Sequence, residues 1–414
     1  MALDRFYDAL ETRSADEREA ALARALPGQV AHARARAPHY ARALADVEPA
    51  AIASRAALAA LPVARKSALI AQQSEDPPFG GVVATALGAL ARVFVSPGPI
   101  AEPEAAVPDY WRYARALHAT GLRGGELLHN CFAYHFTPAG SMLEGGARAL
   151  GCPVFPAGTG NTEMQARAAA QLRPRCYSGT PDFLKTILEK GDELGLDLSS
   201  LQLGHVTGGA YLPTLRAWYA ERGLTVLQSY GTADLGLIAY ESEAREGLIL
   251  DEGVVVEILR PGTGDPLPDG EVGEVVVTTL NPHHPLLRFA TGDLSAIMPG
   301  ASPCGRTNRR IRGWMGRADQ AAKVRGMFVR PEQVAEVLRA VPAVAKARLV
   351  VSLEGERDVM LLRAEATERD EALVEKLGLA LQNATKLRGL VELVPPGTLP
   401  NDGKVIDDTR PVPG

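Results

Sequence analysis

Between residues 127 and 228, short apolar runs alternate with amphipathic helical stretches, and this alternation restricts the fold more than any other feature of the chain. Leu127–Phe132, Pro153–Phe155, Cys176–Ser178, Leu201–Thr207 and Thr225–Gln228 read as strands. Ala139–Leu150, Glu163–Gln171, Pro181–Leu194 and Leu212–Arg222 read as the helices between them. Strands joined through helices pair in parallel, and the helices then cover the faces of the sheet. The flanks differ. Residues 1–75 are alanine-rich with apolar residues at helical spacing, and a Pro/Gly break follows at 76–81. After Tyr230, the β-branched runs Val254–Arg260 and Glu274–Leu280 flank a Pro/Gly-rich connection, the pattern of antiparallel strands. From about Gly316, the helices Glu332–Arg339 and Glu371–Thr385 alternate with the strands Ala347–Val351, Val359–Ala364 and Val391–Leu393. That stretch suits a small separate α+β domain. The chain is therefore expected to be an α/β protein with a large domain over 1–316 and a small one over 317–414.

Charge narrows the function. Of the 414 residues, 44 are Lys or Arg and 49 are Asp or Glu, a formal charge of −5. A nucleic-acid or anionic-membrane binder is normally basic, so neither partner is expected. Cys131, Cys152, Cys176 and Cys304 show no paired spacing, which predicts packing cysteines in a reducing compartment and no disulfide framework. The first 26 residues mix acids and arginines with alanines and read as an amphipathic helix, not a signal segment. The uncharged stretch Gly80–Ala91 is too short to span a bilayer, so a soluble, cytoplasmic protein is expected.

Four segments carry chemistry. Ser229-Tyr230-Gly231-Thr232-Ala233-Asp234 sets an aromatic ring beside glycine, a hydroxyl and a carboxylate at a strand end. A ring can stack on a base, glycine permits close approach, and a carboxylate can hold Mg²⁺ at phosphates. Thr291-Gly292-Asp293 presents a carboxylate able to accept both hydroxyls of a ribose. From Arg306 to Arg330 eight basic residues, among them Arg317, Lys323 and Arg325, face one acid, Asp319. Such a block is either a hinge laying cations over a polyphosphate or a solvated face. Lys404 follows the Pro/Gly-bounded loop Gly397–Gly403 and can serve as a mobile point charge. Alone, each segment also reads as an ordinary turn or surface.

In this order and at these separations, the segments resemble those of the adenylate-forming acyl-CoA ligases, most closely the phenylacetate–CoA ligase branch. The similarity runs from Leu61-Pro62-Val63-Ala64-Arg65-Lys66 to the Leu399–Lys404 loop and is most specific at Cys304-Gly305-Arg306-Thr307 and Gly316-Arg317-Ala318-Asp319. The resemblance implies a large N-terminal domain of layered mixed sheets and a small mobile C-terminal lid, with the hinge at Asp319. It implies that Tyr230 stacks on adenine beside Gly208, Gly209 and Ala210, with Gly231 and Thr232 adjoining. Asp234 stands with Mg²⁺, Asp293 binds ribose, Arg317 takes the ribose–phosphate region, and Lys404 is the adenylation lysine. Phe132, Tyr134, His135 and Phe136, with Tyr211, look like the acyl pocket, although His135 also reads as a satisfied core histidine. The implied reaction activates a small aromatic acid with ATP and passes it to CoA; a carrier-protein thiol is an alternative acceptor. A homodimer is common in this branch.

Three departures stand out. The stretch corresponding to the phosphate loop, Val95 to Glu104, keeps Ser96 and Gly98 but carries Pro97, Pro99, Glu102 and Glu104. Prolines lack an N–H and glutamates repel phosphate, so this loop should hold phosphates poorly, or is a rigid turn. Thr232-Ala233-Asp234 replaces a hydroxyl-then-glutamate pair. Ser242, Ile249 and Ser302 stand where some relatives place zinc ligands, and Cys304 alone cannot make a tetrahedral site, so no structural zinc is expected. The phosphate-loop changes motivate a second reading, a non-catalytic descendant that binds a nucleotide, an acyl-CoA or a partner protein.

Overall fold

The computed structural model describes residues 5–318, 320–325, 327–354 and 357–410, without the side chains of Ser67, Lys323 and Phe328. Two compact units divide the chain. The first takes Met1–Val256, Val277–Phe289 and Met298–Gly313; the second takes Glu257–Val276, Ala290–Ile297 and Trp314–Gly414. The second unit is therefore wider than the 317–414 span suggested by the change of sequence pattern.

The alternation at 127–228 becomes a sheet whose neighbouring strands run Arg310–Ile311, Leu248–Leu250, Gly236–Glu241, Thr225–Thr232, Leu203–Val206, Cys176–Gly179, Leu128–Asn130 and Val154–Pro156. The last five run parallel to one another. From Thr225–Thr232 onward, the pairing turns antiparallel, with a register shift between Tyr230 and Gly231. Helices Ala139–Ala149, Thr162–Leu172, Pro181–Glu193 and Pro213–Glu221 connect the parallel strands, each within two residues of the sequence expectation. One face packs Leu117, Leu128, Phe132, Leu143, Leu237 and Tyr240 into a buried cluster; another cluster gathers Tyr177, Leu184, Ile187, Val206, Tyr219 and Val226.

The N-terminal region is helical as expected, led by Ala15–Arg36, whose Ser14–Glu17 capping box satisfies its first N–H groups. Part of the basic block serves this region. Arg306 is buried, its guanidinium held by Glu11, Glu243 and the Arg5 carbonyl. Arg310 is buried against Glu246 and the carbonyls of Pro299 and Ala301. These cations neutralise internal acceptors and are not available to a polyphosphate, which corrects the reading of the block as one cationic hinge.

In the second unit, strands Leu390–Val394, Arg357–Glu365, Lys346–Glu354 and Ile406–Asp408 form a sheet, antiparallel in the middle and parallel at both flanks. Helices Pro331–Ala340 and Glu371–Thr385 accompany it, and Val334, Val337, Leu349, Val351, Leu362, Leu377 and Leu381 fill the core. No helix among the described residues is long and apolar enough to cross a membrane.

Candidate active site

Parallel strands present their carboxyl ends at one edge, and the loops leaving that edge are where ligands bind in open α/β sheets. Here Leu128–Asn130 runs into Phe132–Phe136, Leu203–Val206 into Gly208–Tyr211, and Thr225–Thr232 into Asp234. Three of the segments picked out in the sequence thus leave from the same edge.

Asn130, at the end of its strand, organises the first loop. Its amide donates to the Tyr134 hydroxyl at 2.8 Å and the Gly140 carbonyl at 2.9 Å, while its oxygen accepts from Ser178 and the Phe132 N–H. Phe132 is buried, and a Cβ on Gly208 would lie 3.8 Å from its ring, so Gly208 is within van der Waals reach of it. The rest of the expected acyl pocket does not assemble around it. His135 is exposed, not a core histidine, and Phe136 is 75% exposed with φ +61°. Tyr211 packs in the other cluster, under the Arg216 guanidinium at 4.1 Å, and Arg216 is held there by Glu241.

Tyr230 is buried in its strand. At Gly231 a Cβ would meet the Gly236 carbonyl at 2.5 Å and the Tyr113 hydroxyl at 2.6 Å, so no larger residue fits the bulge. The Thr232 hydroxyl accepts from the Leu235 N–H and closes the turn that carries Asp234. The Asp234 side chain has no exposed surface. One carboxylate oxygen pairs with Lys66 Nζ at 2.6 Å, and the other is buried without a hydrogen-bond partner. Lys66 opens the helix Lys66–Glu75 and is partly exposed. Burial holds the His284 imidazole down at about 4, opposed by the charge of Asp234, and neither ring nitrogen has a partner. Lys66 and His284 were not among the site residues expected from sequence. The only signal for Lys66 was the Leu61–Lys66 stretch itself.

The phosphate-loop stretch is a β-hairpin, Leu90–Ser96 with Ile100–Ala105, and Gly98 lies in its turn. Glu102 is fully buried and accepts from both the N–H and the hydroxyl of Ser96. Burial pushes its carboxyl up to about 7; Ser96 and Lys66 oppose the rise and Asp234 adds to it. Glu104 accepts from Arg92, Trp111 and Ser141. The stretch is an ordered hairpin whose acids are taken up by its own donors and by Trp111 and Ser141.

The second unit carries the remaining residues. Asp293 Oδ1 accepts from Arg317 Nη1 and Trp314 Nε1, both at 3.0 Å. A Cβ on Gly292 would sit 2.6 Å from Arg317 Nη2, and Gly292 has φ +75°, so the arginine lies across a position that needs glycine. Arg317 and Lys404 line one cavity of about 350 Å³, together with Gln320, Asp402 and Asp407. Lys404 is half-exposed and pairs with Asp407 at 2.9 Å. Gln320 ties down its loop: the amide donates to the Gly403 carbonyl, and its oxygen accepts from the Val405 and Ile406 N–H groups. Arg325 lies elsewhere, in the connection between Ala322–Val324 and Met327–Val329, and bonds the Asp358 backbone carbonyl. Its expected phosphate role has no support in this placement. The Lys323 side chain and Asp319 lie outside the described residues.

Cys304 is buried, and its thiol sits lower than usual: burial would raise it, but hydrogen bonds from Ser242 and Ser302 and from Arg306 outweigh that. Among the described residues, no three His, Cys, Asp or Glu side chains are grouped to hold a metal ion.

A nucleotide-binding enzyme class is defined directly by comparison. Residues 115–281 match the family of AMP-binding enzymes. The phenylacetate–coenzyme A ligase of Thermus thermophilus is 32% identical over 432 residues, covering 94% of this chain and 95% of that protein. The phenylacetate–coenzyme A ligase of Aromatoleum evansii is 31% identical over 395 residues, covering 89% and 88%. A crystal structure of 2-hydroxyisobutyryl-CoA ligase in an open conformation, with 2-HIB-AMP and CoA, superimposes with a TM-score of 0.72 at 24% identity, covering 96% of this chain and 92% of that one, a likeness of fold. The chain belongs to the family of ATP-dependent, AMP-forming acyl-CoA ligases that includes the phenylacetate–CoA ligases.

Proposed function

We propose that this ligase activates a small aromatic carboxylic acid. The observation that carries the reading is the parallel-sheet edge where the Phe132 loop, the Gly208–Ala210 stretch and the Tyr230–Asp234 turn leave together. Identity to phenylacetate–coenzyme A ligases over most of the chain supports the aromatic class. Phe132, with Gly208 beside it, would give an acid's ring an apolar wall.

In the first half-reaction, a carboxylate oxygen of the acid attacks the α-phosphorus of ATP, and the bond to pyrophosphate breaks. Tyr230 and the glycine stretch orient adenine, Asp293 takes the ribose hydroxyls in place of its Trp314 and Arg317 donors, and Arg317 moves to the phosphate. Lys404 offsets charge building between carboxylate and phosphate. Asp234 suits Mg²⁺: its second oxygen is buried and unpartnered, and Mg²⁺ accepts one carboxylate when substrate phosphates complete its shell. Bound there, Mg²⁺ would neutralise charge on the departing pyrophosphate. In the second half-reaction, the CoA sulfur attacks the acyl carbonyl and AMP leaves. Between the two half-reactions, Lys404 has to leave the reacting centre so that the thiol can enter, a task for the C-terminal loop that carries it.

The test is thioester formation, read by mass spectrometry, with ATP, Mg²⁺ and CoA over a panel of arylacetates, benzoates and short 2-hydroxy acids. Phenylacetate-like acids should exceed the aliphatic acids at least tenfold in kcat/KM, as a ring-sized apolar contact allows. Preference for a short 2-hydroxy acid would overturn the aromatic assignment.

A further inference from the structure

The hairpin at Ser96 carries its own anion. Its register sets Ser96 opposite Ile100 and Phe94 opposite Glu102, so Glu102 stands on the return strand just past the turn. From there its carboxylate reaches back: one oxygen accepts the Ser96 N–H at 3.2 Å and the other accepts the Ser96 hydroxyl. Glu102 has no exposed surface and Ser96 only 5%. The other donors of the turn are few. Pro97 and Pro99 have no N–H, and the Val95 N–H is held by the Phe136 carbonyl at 2.8 Å. From Val95 to Pro99, that leaves the Gly98 N–H to meet an outside anion. The charges of Lys66 and Asp234 both act on Glu102, which ties the hairpin electrostatically to the carboxylate placed with Mg²⁺ in the reading above.

We propose that Glu102 is a tethered competitor for the phosphates of ATP: it occupies the Ser96 donors and thereby sets the affinity for ATP and for pyrophosphate. This rests on the reading of Val95–Glu104 as the phosphate loop. A carboxylate and a phosphate oxygen are both acceptors, and one serine cannot serve both at once. Above about pH 7, where Glu102 ionises despite its burial, it and a phosphate would also repel each other in one poorly solvated site. The consequence is a ligase that holds ATP loosely and releases pyrophosphate readily, so that adenylation is harder to reverse.

Equilibrium binding by calorimetry tests this with Mg-ATP, inorganic pyrophosphate and AMP, on the full chain and on Glu102→Gln, Glu102→Ala, Ser96→Ala and the Ser96→Ala/Glu102→Ala double variant. Glu102→Gln keeps the shape of the side chain and an acceptor for Ser96 while removing the charge, and melting temperatures confirm that each variant is folded. Glu102→Ala, which frees both Ser96 donors, should bind Mg-ATP and pyrophosphate about five- to tenfold more tightly, the worth of regained charge-assisted hydrogen bonds, and Glu102→Gln, which still occupies the Ser96 hydroxyl, should gain less. AMP, which lacks the outer phosphates, should bind unchanged, and the double variant should lose the gain. Unchanged or weaker ATP binding in both Glu102 variants, with Ser96→Ala alone also weakening ATP, would overturn the competitor and leave the phosphate loop standing. Unchanged ATP and pyrophosphate binding in all four variants would overturn the phosphate-loop assignment, and the competitor with it.

Discussion

Asp234 concentrates the physics of the site in one residue. A fully buried carboxylate is tolerated because Lys66 neutralises it, and 168 residues of chain separate the two. Removing the lysine leaves a buried charge without its partner. Because Lys66 is itself partly exposed, Lys66→Met should destabilise the fold by roughly 1–3 kcal/mol, less than a fully buried pair would lose. Lys66→Met/Asp234→Asn should recover most of that loss in urea unfolding. A single variant as stable as the parent would show that water already serves Asp234. At Gly292, Ala would adopt φ +75° only under strain and would place its Cβ against Arg317. Gly292→Ala should therefore raise the KM for ATP about tenfold in pyrophosphate-release kinetics, if Arg317 contacts the nucleotide as proposed. Asp234, Asp293, Arg317 and Lys404 were singled out by the spaced set of segments and its resemblance to a ligase family, since each stretch alone reads as an ordinary turn or surface. Their partners were not legible: Lys66 for Asp234, Trp314 for Asp293 and Gln320 for the Lys404 loop are chosen by the folded chain.

At the scale of elements, periodicity carried most of the information. Glu371–Thr385 matches its expected range, and the parallel strands and their helices differ only at their ends, because each pattern is local. The hairpin at Ser96 was hidden by its prolines. Pro103 pairs opposite Val93 inside a strand, which is possible because this sheet has two strands and therefore only edges. The Phe132–Phe136 loop was legible as a segment but not as a pocket, since exposure of His135 and Phe136 depends on how the loop leaves Asn130. Strand Leu203–Val206 carries a pH liability of its own. Burial holds the His205 imidazole down at about 3, and neither nitrogen has a partner. The unfolded chain takes up this proton near 6.5, so the folded state is at its full stability above that pH and loses ground as pH falls toward 3. Each pH unit below 6.5 should cost about 1.4 kcal/mol from this residue until the folded histidine also titrates. His205→Leu should flatten the decline between pH 6 and pH 4 in denaturant titrations. An identical slope in both proteins would assign the acid sensitivity elsewhere.

For the molecule as a whole, the change of sequence style near residue 316 fell close to the start of the last stretch of the second unit, Trp314–Gly414. The segments Glu257–Val276 and Ala290–Ile297 also belong to that unit, and nothing in their own composition says so, since membership depends on packing between distant segments. Family and chemistry were legible together because the spaced segments were compared as one set. The central claim is that Lys404 serves acyl-adenylate formation and not thioester transfer. The most direct measurement is acid-dependent exchange of labelled pyrophosphate into ATP, set beside CoA-thioester formation from a pre-formed acyl-adenylate, in the parent and in Lys404→Ala. Exchange should fall about 10²- to 10³-fold in Lys404→Ala while thioester formation stays within about threefold. Exchange that survives the substitution, or an equal loss in both half-reactions, would contradict that claim.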